Sequence, residues 1–499
     1  MRLYSLFVLV FAAGCGGAPW RSAPTPPGAF PRVGVKALRR AIDSVVNSPE
    51  FGNGHWGVLV VTTSGDTLYS RNAGKLFMPA SNQKLLTSAV ALSQLGPDYR
   101  YRTIFVAHGV VTDSVLDGDL GVIGRGDPSV SDHMRRDAML PLREIADSLS
   151  ARGIKRIRGR VLAEGNAFPD PVLGFGWSWD NLESGYSAAV DELLFNEGFS
   201  TVILRAGHAV GDSVQIETRP TRTWPRVRAS VTTVAVRPAT TDSASPPIPA
   251  AGIVVQKDTL TGDVLITGTI VAGDSAIETV THRDPDAAYI AALREALVDR
   301  GITIGGESLL VSAGGDTVTV MISPTLGDIL PIFLKPSQNQ IGEMLFKTIG
   351  LERDSAGTAR AGRRVIETQL KAWGARDDGY IVRDGSGLSR YDYVSPETIL
   401  HILDAMRREK SFPVFYQSLP IAGVDGTIRN RMRGTPAESN VHAKTGSVAQ
   451  VRSLSGYVCA LNGDTLMFSI LANNWTVPAR SVERATDSIA ARLASYRRR

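Results

Sequence analysis

Cysteine, histidine and lysine are all scarce in this chain, and each scarcity excludes something. Cys15 and Cys459 are the only cysteines in 499 residues, so there is no disulfide framework. The seven histidines (His55, His108, His133, His208, His282, His401 and His442) are scattered, and no pair has a metal-ligand spacing such as His-x-x-x-His. Neither a metal nor a cofactor is expected. Charge of one sign is also missing. The net charge of +5 is spread thinly, and Arg497–Arg499 is the one basic run, so nucleic acid is not an expected partner. After the first residues no apolar stretch is long enough to span a bilayer. No repeat of fixed period is visible. What remains is 43% hydrophobic and 21% charged, the balance of a globular protein with a large core. The length suits about two to four domains.

The start of the chain differs from the rest. Met1-Arg2 is followed by an apolar run, Leu3 to Ala13, too short to cross a membrane and of the length of a signal-peptide core. Ala12-Ala13-Gly14-Cys15 resembles a bacterial lipoprotein cleavage box, with Ala12 where leucine is usual. The expectation is export to the cell envelope, with Cys15 as lipid attachment site and membrane anchor. A plain secretory signal is the alternative. Residues 16–31, rich in Gly, Pro, Ala and Ser, read as a flexible tether. Cys459 reads as a small buried residue in a strand-like run.

Three further stretches follow. Residues 32–100 begin with a helix over Val35–Val46, then a strand pair, Trp56–Thr62 and Thr67–Ser70, around the turn Thr63-Ser64-Gly65-Asp66. Residues 101–281 are rich in Val, Thr, Gly and Asp, with short alternating strands, and read as a β-rich insertion of two subdomains. Residues 282–499 return to helical spacing, then carry two strands, Val451–Cys459 and Thr465–Ala472, and a closing helix, Ala479–Ala494. The pattern implies a discontinuous α/β (α+β) domain made from 32–100 and 282–499. One sheet would join strands from both ends, with the terminal helices packed on it.

Lysine scarcity sharpens the motifs. There are ten lysines against forty-four arginines, and only Lys84 has a serine three residues upstream. Ser81-Asn82-Gln83-Lys84 begins a helical pattern, and a spacing of three puts both side chains on one helix face. An amine there can take the hydroxyl proton, which a serine nucleophile needs. Ser337-Gln338-Asn339 precedes another helix; such a triplet is weak alone, and Ser70-Arg71-Asn72 is a second copy. Lys444-Thr445-Gly446-Ser447 precedes the strand Val451–Cys459 and is the more specific signal in so lysine-poor a chain. Its glycine would let a ligand backbone lie against an edge strand, beside the hydroxyls of Thr445 and Ser447 and a fixed positive charge on Lys444.

The order Ser-x-x-Lys, Ser-x-Asn, Lys-Thr-Gly resembles penicillin-binding proteins and serine β-lactamases. Gly118-Asp119-Leu120 with Gly124-Arg125-Gly126-Asp127-Pro128, Gly176-Trp177-Ser178-Trp179-Asp180 and Asp384-Gly385-Ser386-Gly387-Leu388-Ser389-Arg390 narrow the resemblance to class C low-molecular-mass penicillin-binding proteins, peptidase family S13. So does the long gap between the first two motifs, where that family carries extra domains. The resemblance runs from about Val35 to the C-terminus. It implies the transpeptidase-like fold of penicillin-binding proteins and serine β-lactamases, an antiparallel sheet flanked by helices. It also implies D-alanyl-D-alanine carboxypeptidase or endopeptidase action on peptidoglycan stem peptides, with β-lactam antibiotics as inhibitors.

By that resemblance Ser81 is the nucleophile and Lys84 its base, kept neutral by burial and by nearby Lys444. Ser337 and Asn339 relay protons and hold the substrate amide. The N–H groups of Ser81 and Ser447 form an oxyanion hole. Thr445, Gly446 and Ser447 receive the substrate and its carboxylate, and Arg390 and Asp180 lie toward its side-chain end. Asn181 departs from the two acidic residues frequent after the Trp-x-Trp pair, which bears on the stem peptide preferred.

Two other readings compete. Glu192-Leu193-Leu194-Phe195-Asn196 imitates the Glu-x-x-x-Asn of a class A β-lactamase, but it precedes Ser337 and reads as a surface or domain-contact segment. An inactive cell-wall-binding lipoprotein is the second, against which stand the intact Ser81, Lys84, Asn339 and Lys444. Trp177 and Trp179, alternating like strand residues, read as packing rather than as a sugar platform.

Overall fold

The computed structural model describes residues 34–182, 184–219, 226–235, 252–257, 263–306 and 315–497. The leader 1–15, with Cys15, and the tether 16–31 lie outside them.

A five-stranded antiparallel sheet joins the two ends of the chain. From one edge its order is His442–Val448, Val451–Cys459, Thr465–Asn473, His55–Thr62, Thr67–Arg71. Side chains alternate across a strand, so each of the three central strands feeds two cores. Trp56, Val58, Val60, Phe468 and Ile470 pack on the helices Val35–Val46 and Ala479–Ala494. Leu59, Tyr457, Met467 and Leu471 face the opposite layer, built on Gln83–Leu95, Leu326–Leu334, Asn339–Asp354, Ala359–Ala372 and Pro396–Met406. With both faces covered, the strands read as nearly continuous apolar runs. Cys459 ends its strand half-buried rather than in the core, because the last residue of a strand leaves the layer.

Gln83–Leu95 is the central helix. It is buried on every side from Gln83 to Leu92, a position that ordinarily requires an apolar surface all round. Its hydroxyls are paired: Thr87 Oγ1 donates to Gly385 C=O at 2.7 Å and Ser88 Oγ to Lys84 C=O at 2.6 Å. The helix behind it, Leu326–Leu334, begins with a reciprocal cap between Thr325 and Asp328.

The inserted material holds two further cores. One sheet runs Thr303–Ile304, Arg156–Ile157, Val115–Ile123, Arg102–Thr112, Asp316–Ile322, with Val161–Glu164 also paired to Val115–Ile123. It is covered by the helices Leu140–Ala151 and Pro285–Asp299, through Leu142, Ile145, Leu149, Leu293 and Leu297. The other core lies between two three-stranded sheets and gathers Val202, Leu204, Val231, Ile266, Ile270 and Val280. The insertion thus does not end at residue 281. Asp316–Ile322 is the antiparallel partner of Arg102–Thr112, and Pro285–Asp299 packs with Leu140–Ala151, so the chain rejoins the catalytic body only at Leu326–Leu334. Helical spacing marks an element as a helix but does not say which core it covers.

Candidate active site

Ser81 stands in a short 3-10 turn, Ala80–Asn82, at the head of the central helix. The turn and the two residues before it are tied to the sheet by hydrogen bonds. Ser453 Oγ donates to Pro79 C=O at 2.8 Å, Asn82 Nδ2 to Lys444 C=O at 2.9 Å, and Met78 N–H to Asn473 Oδ1 at 2.8 Å. Gly446 makes the close approach possible. A Cβ there would lie 2.1 Å from Ser453 Oγ, 2.5 Å from Pro79 O and 3.0 Å from Ser81 N.

Lys84 is fully buried. Its Nζ donates to Ser81 Oγ at 2.8 Å, Asn339 Oδ1 at 2.6 Å and Ser386 C=O at 2.7 Å. Burial lowers its pKa to about 7, against the opposing pull of the Asp384, Glu343 and Asp392 carboxylates. Glu343 and Asp392 are themselves pushed upward, first by burial and then by the charge of Asp384. Asp384 is the hub of its loop. Its carboxylate accepts from the N–H groups of Ser386, Gly387 and Ser389 at 3.2, 2.7 and 2.7 Å, and from Trp177 Nε1 at 3.0 Å. That wrapping presents Ser386 C=O to Lys84. Gly387, at φ +80, passes so close to the nucleophile turn that a Cβ would meet Ala80 O at 1.8 Å.

Lys444, equally buried, donates to Ser337 Oγ at 2.8 Å and to Thr445 C=O at 3.1 Å. Its pKa is lowered well below the ordinary lysine value by burial and then by Lys84. Two expectations change here. Burial, not Lys444, is what lowers Lys84. And the positive charge of Lys444 is disfavoured rather than fixed, since burial and the neighbouring Lys84 both oppose it.

Ser337 is held at φ +68, a left-handed conformation that costs a non-glycine residue about 1–3 kcal/mol. Asn339 begins its helix and uses both ends of its amide, with Oδ1 accepting from Lys84 and Nδ2 donating to Tyr186 C=O at 2.6 Å. The structure therefore brings Ser81, Lys84, Ser337, Asn339, Lys444 and Gly446 into one connected cleft. Thr445 Oγ1 shares a 2.7 Å hydrogen bond with Thr427 Oγ1, and Ser447 is exposed on the same edge strand. Arg390 donates from Nη1 to Ala449 C=O at 3.0 Å. The loop carrying Asp180 meets Arg390 where Gly176 C=O accepts from Arg390 N–H at 3.4 Å, while the Asp180 side chain is exposed. Beside Ser337 and Asn339 opens a cavity of about 570 Å³, walled by Tyr186, His133, Phe199 and Glu278.

Other expectations are corrected. Of the two readings of Glu192, surface or domain contact, the surface one fails: it is 4% exposed and accepts from Phe168 N–H at 3.2 Å. Trp177 and Trp179 are not strand residues. Trp179 opens a 3-10 turn and is 85% exposed, whereas Trp177 is the residue bonded to Asp384. Sequence reasoning also missed Thr427, which lies in no motif, and the carbonyls of Ser386 and Tyr186, since a backbone acceptor leaves no residue signature. Among the described residues no group of His, Cys, Asp and Glu is arranged to hold a metal ion.

Comparison with known proteins identifies the family. The family model described as D-Ala-D-Ala carboxypeptidase 3 (S13) matches residues 38–495. A D-alanyl-D-alanine carboxypeptidase of Actinomadura sp. is 33% identical over 476 residues, covering 92% of this chain and 85% of the relative. The D-alanyl-D-alanine carboxypeptidase DacB of Haemophilus influenzae is 26% identical over 416 residues, covering 81% and 82%. The crystal structure of penicillin binding protein 4 from Haemophilus influenzae superposes with a TM-score of 0.76 at 23% identity, covering 92% of this chain and 98% of that one, which establishes the shared fold.

Proposed function

The chain belongs to the D-Ala-D-Ala carboxypeptidase 3 (S13) family, serine hydrolases of the penicillin-binding type that act on peptidoglycan, and from that premise we propose that it cleaves the terminal D-Ala-D-Ala bond of stem peptides through an acyl-enzyme on Ser81. The observation that carries the reading is the 2.8 Å contact between Ser81 Oγ and a fully buried lysine whose pKa is about 7. A neutral amine has two N–H groups and one lone pair. In the neutral form two N–H groups can stay on Asn339 and Ser386, so the third contact reverses and the lone pair accepts from the Ser81 hydroxyl, the arrangement a general base needs.

Ser81 Oγ attacks the carbonyl carbon as Lys84 takes its proton. The oxyanion forms against the N–H groups of Ser81 and Ser447. Collapse breaks the C–N bond, and the proton that Lys84 took passes to the leaving amine by way of the Ser337 hydroxyl, so that Lys84 is neutral again. The substrate carboxylate sits by Thr445, Thr427 and Lys444, where its charge restores the ammonium that burial disfavours. Water then attacks the ester, with Lys84 again as base, and frees Ser81. Arg390 and Asp180 lie toward the stem-peptide side chain. Asn181, whose amide oxygen accepts from Tyr186 OH at 2.8 Å, offers no charge for a free amino group there. The same chemistry applied to a cross-linked dimer is endopeptidase action. The enzyme works in the cell envelope, held by a lipid on Cys15.

Labelling with a fluorescent penicillin tests the reading. A stable adduct that disappears in Ser81→Ala, with release of D-alanine from a stem pentapeptide, supports it. Rapid turnover of the adduct favours a β-lactamase, and no adduct at all favours an inactive cell-wall-binding protein. Cleavage of cross-linked dimers would establish the endopeptidase. A Cys15→Ser protein that stays on membranes would overturn the lipid anchor.

A further inference from the structure

The Ser337–Asn339 turn is gripped by the insertion. Three consecutive side-chain amides, Gln338, Asn339 and Gln340, all reach into the segment 185–197: Gln338 Nε2 donates to Glu197 Oε2, Asn339 Nδ2 to Tyr186 C=O, and Gln340 Nε2 to Gly185 C=O. Glu197 is the one ionisable partner among these. Its carboxylate is wholly buried, and it also accepts from Ser131 Oγ at 2.7 Å and from His133 Nδ1 at 2.9 and 3.0 Å. Its backbone is held in the left-handed region at φ +57, directly after Asn196 at φ +47. Two successive non-glycine residues in that region need a surrounding structure that over-determines them. Here Asn196 supplies it, accepting from Asp132 N–H at 3.0 Å and donating to Phe199 C=O at 2.9 Å. A buried carboxylate on a strained turn, aimed at the residue between Ser337 and Asn339, is a costly arrangement unless its partners matter.

We propose that Glu197 is a positioning residue: through Gln338 it fixes the Ser337–Asn339 turn, and so makes the insertion part of the acylation machinery. The inference rests on Ser81 being the nucleophile. The orientation of Gln338 is determined, because its Oε1 accepts from Gln340 N–H at 3.4 Å and its Nε2 must face the carboxylate. With Gln338 held, Ser337 Oγ faces Lys444 and Asn339 Oδ1 faces Lys84. Release of Gln338 lets the left-handed Ser337 relax, and both contacts drift.

A pair of exchanged variants tests this. In Glu197→Gln the new amide oxygen still accepts from Ser131 and His133, but its NH2 meets the NH2 of Gln338. If Gln338 turns over, its NH2 meets Gln340 N–H instead, so one donor clash persists either way. Gln338→Glu sets two carboxylates against each other. The double variant E197Q/Q338E is fully paired again, with the donor and acceptor exchanged. Each single variant is expected to lose up to about 10²-fold in the acylation rate by penicillin, the scale of a misplacement near 1 Å. The double variant is expected to recover most of that loss, whereas general loosening of the fold would not be repaired by a second substitution. Hydrogen exchange over residues 335–340 supplies a readout free of activity: faster in the singles, restored in the double. Wild-type acylation rates in Glu197→Gln, a double variant no better than its worse parent, or exchange unchanged in the singles would each overturn the proposal. Absence of any adduct on the wild type would instead sink the nucleophile reading, and the exchange data would still decide this one.

Discussion

Lys84 and Lys444 are equally buried, and the two halves of the cleft around them are built differently. Lys84 has three hydrogen-bond acceptors and three carboxylates in its surroundings, and its pKa of about 7 is the balance of burial against those charges. Lys444 has a hydroxyl and a carbonyl, no carboxylate, and the charge of Lys84 against it. The first environment is complete without a ligand and suits a base poised near neutrality. The second has no carboxylate among its hydrogen-bond partners, and in the proposed reaction the substrate would bring one. The supports differ in origin as well. Asp384, inside the catalytic body, wraps the loop that presents Ser386 C=O to Lys84. Glu197, in the insertion, grips the turn that presents Ser337 to Lys444. One lysine is prepared by its own domain and the other by its neighbour.

The sharpest way to break this contrast is to remove each lysine. Lys84→Ala is expected to lose about 10²–10⁴ in acylation with every penicillin and peptide, since it removes the base itself. Lys444→Ala should lose most with ligands that carry a carboxylate and distinctly less with esterified analogues. Equal losses across both ligand sets would erase the distinction between the lysines. Gly446→Ala comes next. Its methyl group would overlap Ser453 Oγ and Pro79 O, so the edge strand must retreat from Ser81. A destabilisation of about 1–3 kcal/mol in a thermal melt is expected, with a clear loss of acylation. A variant melting and acylating like wild type would mean that the strand is not held against the nucleophile.

A pH profile separates the halves more finely. Acylation should rise with pH through about 7 as Lys84 loses its proton. Glu343, Asp392 and Lys444 also face this site, but Asp384 is the first carboxylate opposing the burial of Lys84. Its negative charge favours the ammonium, so Asp384→Asn should move the rising limb to lower pH, on top of whatever rate the loosened loop loses. Glu197→Gln should slow acylation without moving that limb. A limb that stays in place in Asp384→Asn, or moves in Glu197→Gln, would contradict the assignment of the two supports.

Much of the catalytic body was legible in the sequence because its signals are local. Val35–Val46, Val451–Cys459 and Ala479–Ala494 follow from apolar runs and helical spacing, and the observed strand and helices carry those bounds. The two lysine motifs were legible because the chain has so few lysines, and Ser337-Gln338-Asn339 only through its place between them. What lay hidden is what depends on pairing across the fold. Ser386 meets Lys84 through a carbonyl that any residue could supply, and Thr427 meets Thr445 with no motif around it. Glu197 reads as an ordinary acidic residue until the insertion folds back on Gln338. The end of the insertion was misplaced for the same reason, since Asp316–Ile322 shows its partner only in the register with Arg102–Thr112.

The smallest expected effect comes from His133, and it tests whether the Glu197 node acts through its buried arm or its exposed one. The imidazole side chain is 55% exposed and Glu197 is not exposed at all. Its hydrogen bond to that carboxylate raises its pKa above 6.5. A raised folded-state value means the charged pair contributes fully below the unfolded pKa, near 6.5, and loses its contribution as pH climbs through the folded value. Solvent screening limits that contribution to at most about 1 kcal/mol, and water can replace the lost donor in His133→Ala. The melting difference between wild type and this variant should therefore be modest at pH 6 and shrink toward pH 8, with acylation nearly unchanged. If His133→Ala instead slowed acylation as much as Glu197→Gln, the imidazole rather than Gln338 would be the partner through which the carboxylate acts, and the grip on the Ser337 turn would have to be assigned to Tyr186 and Gly185 alone.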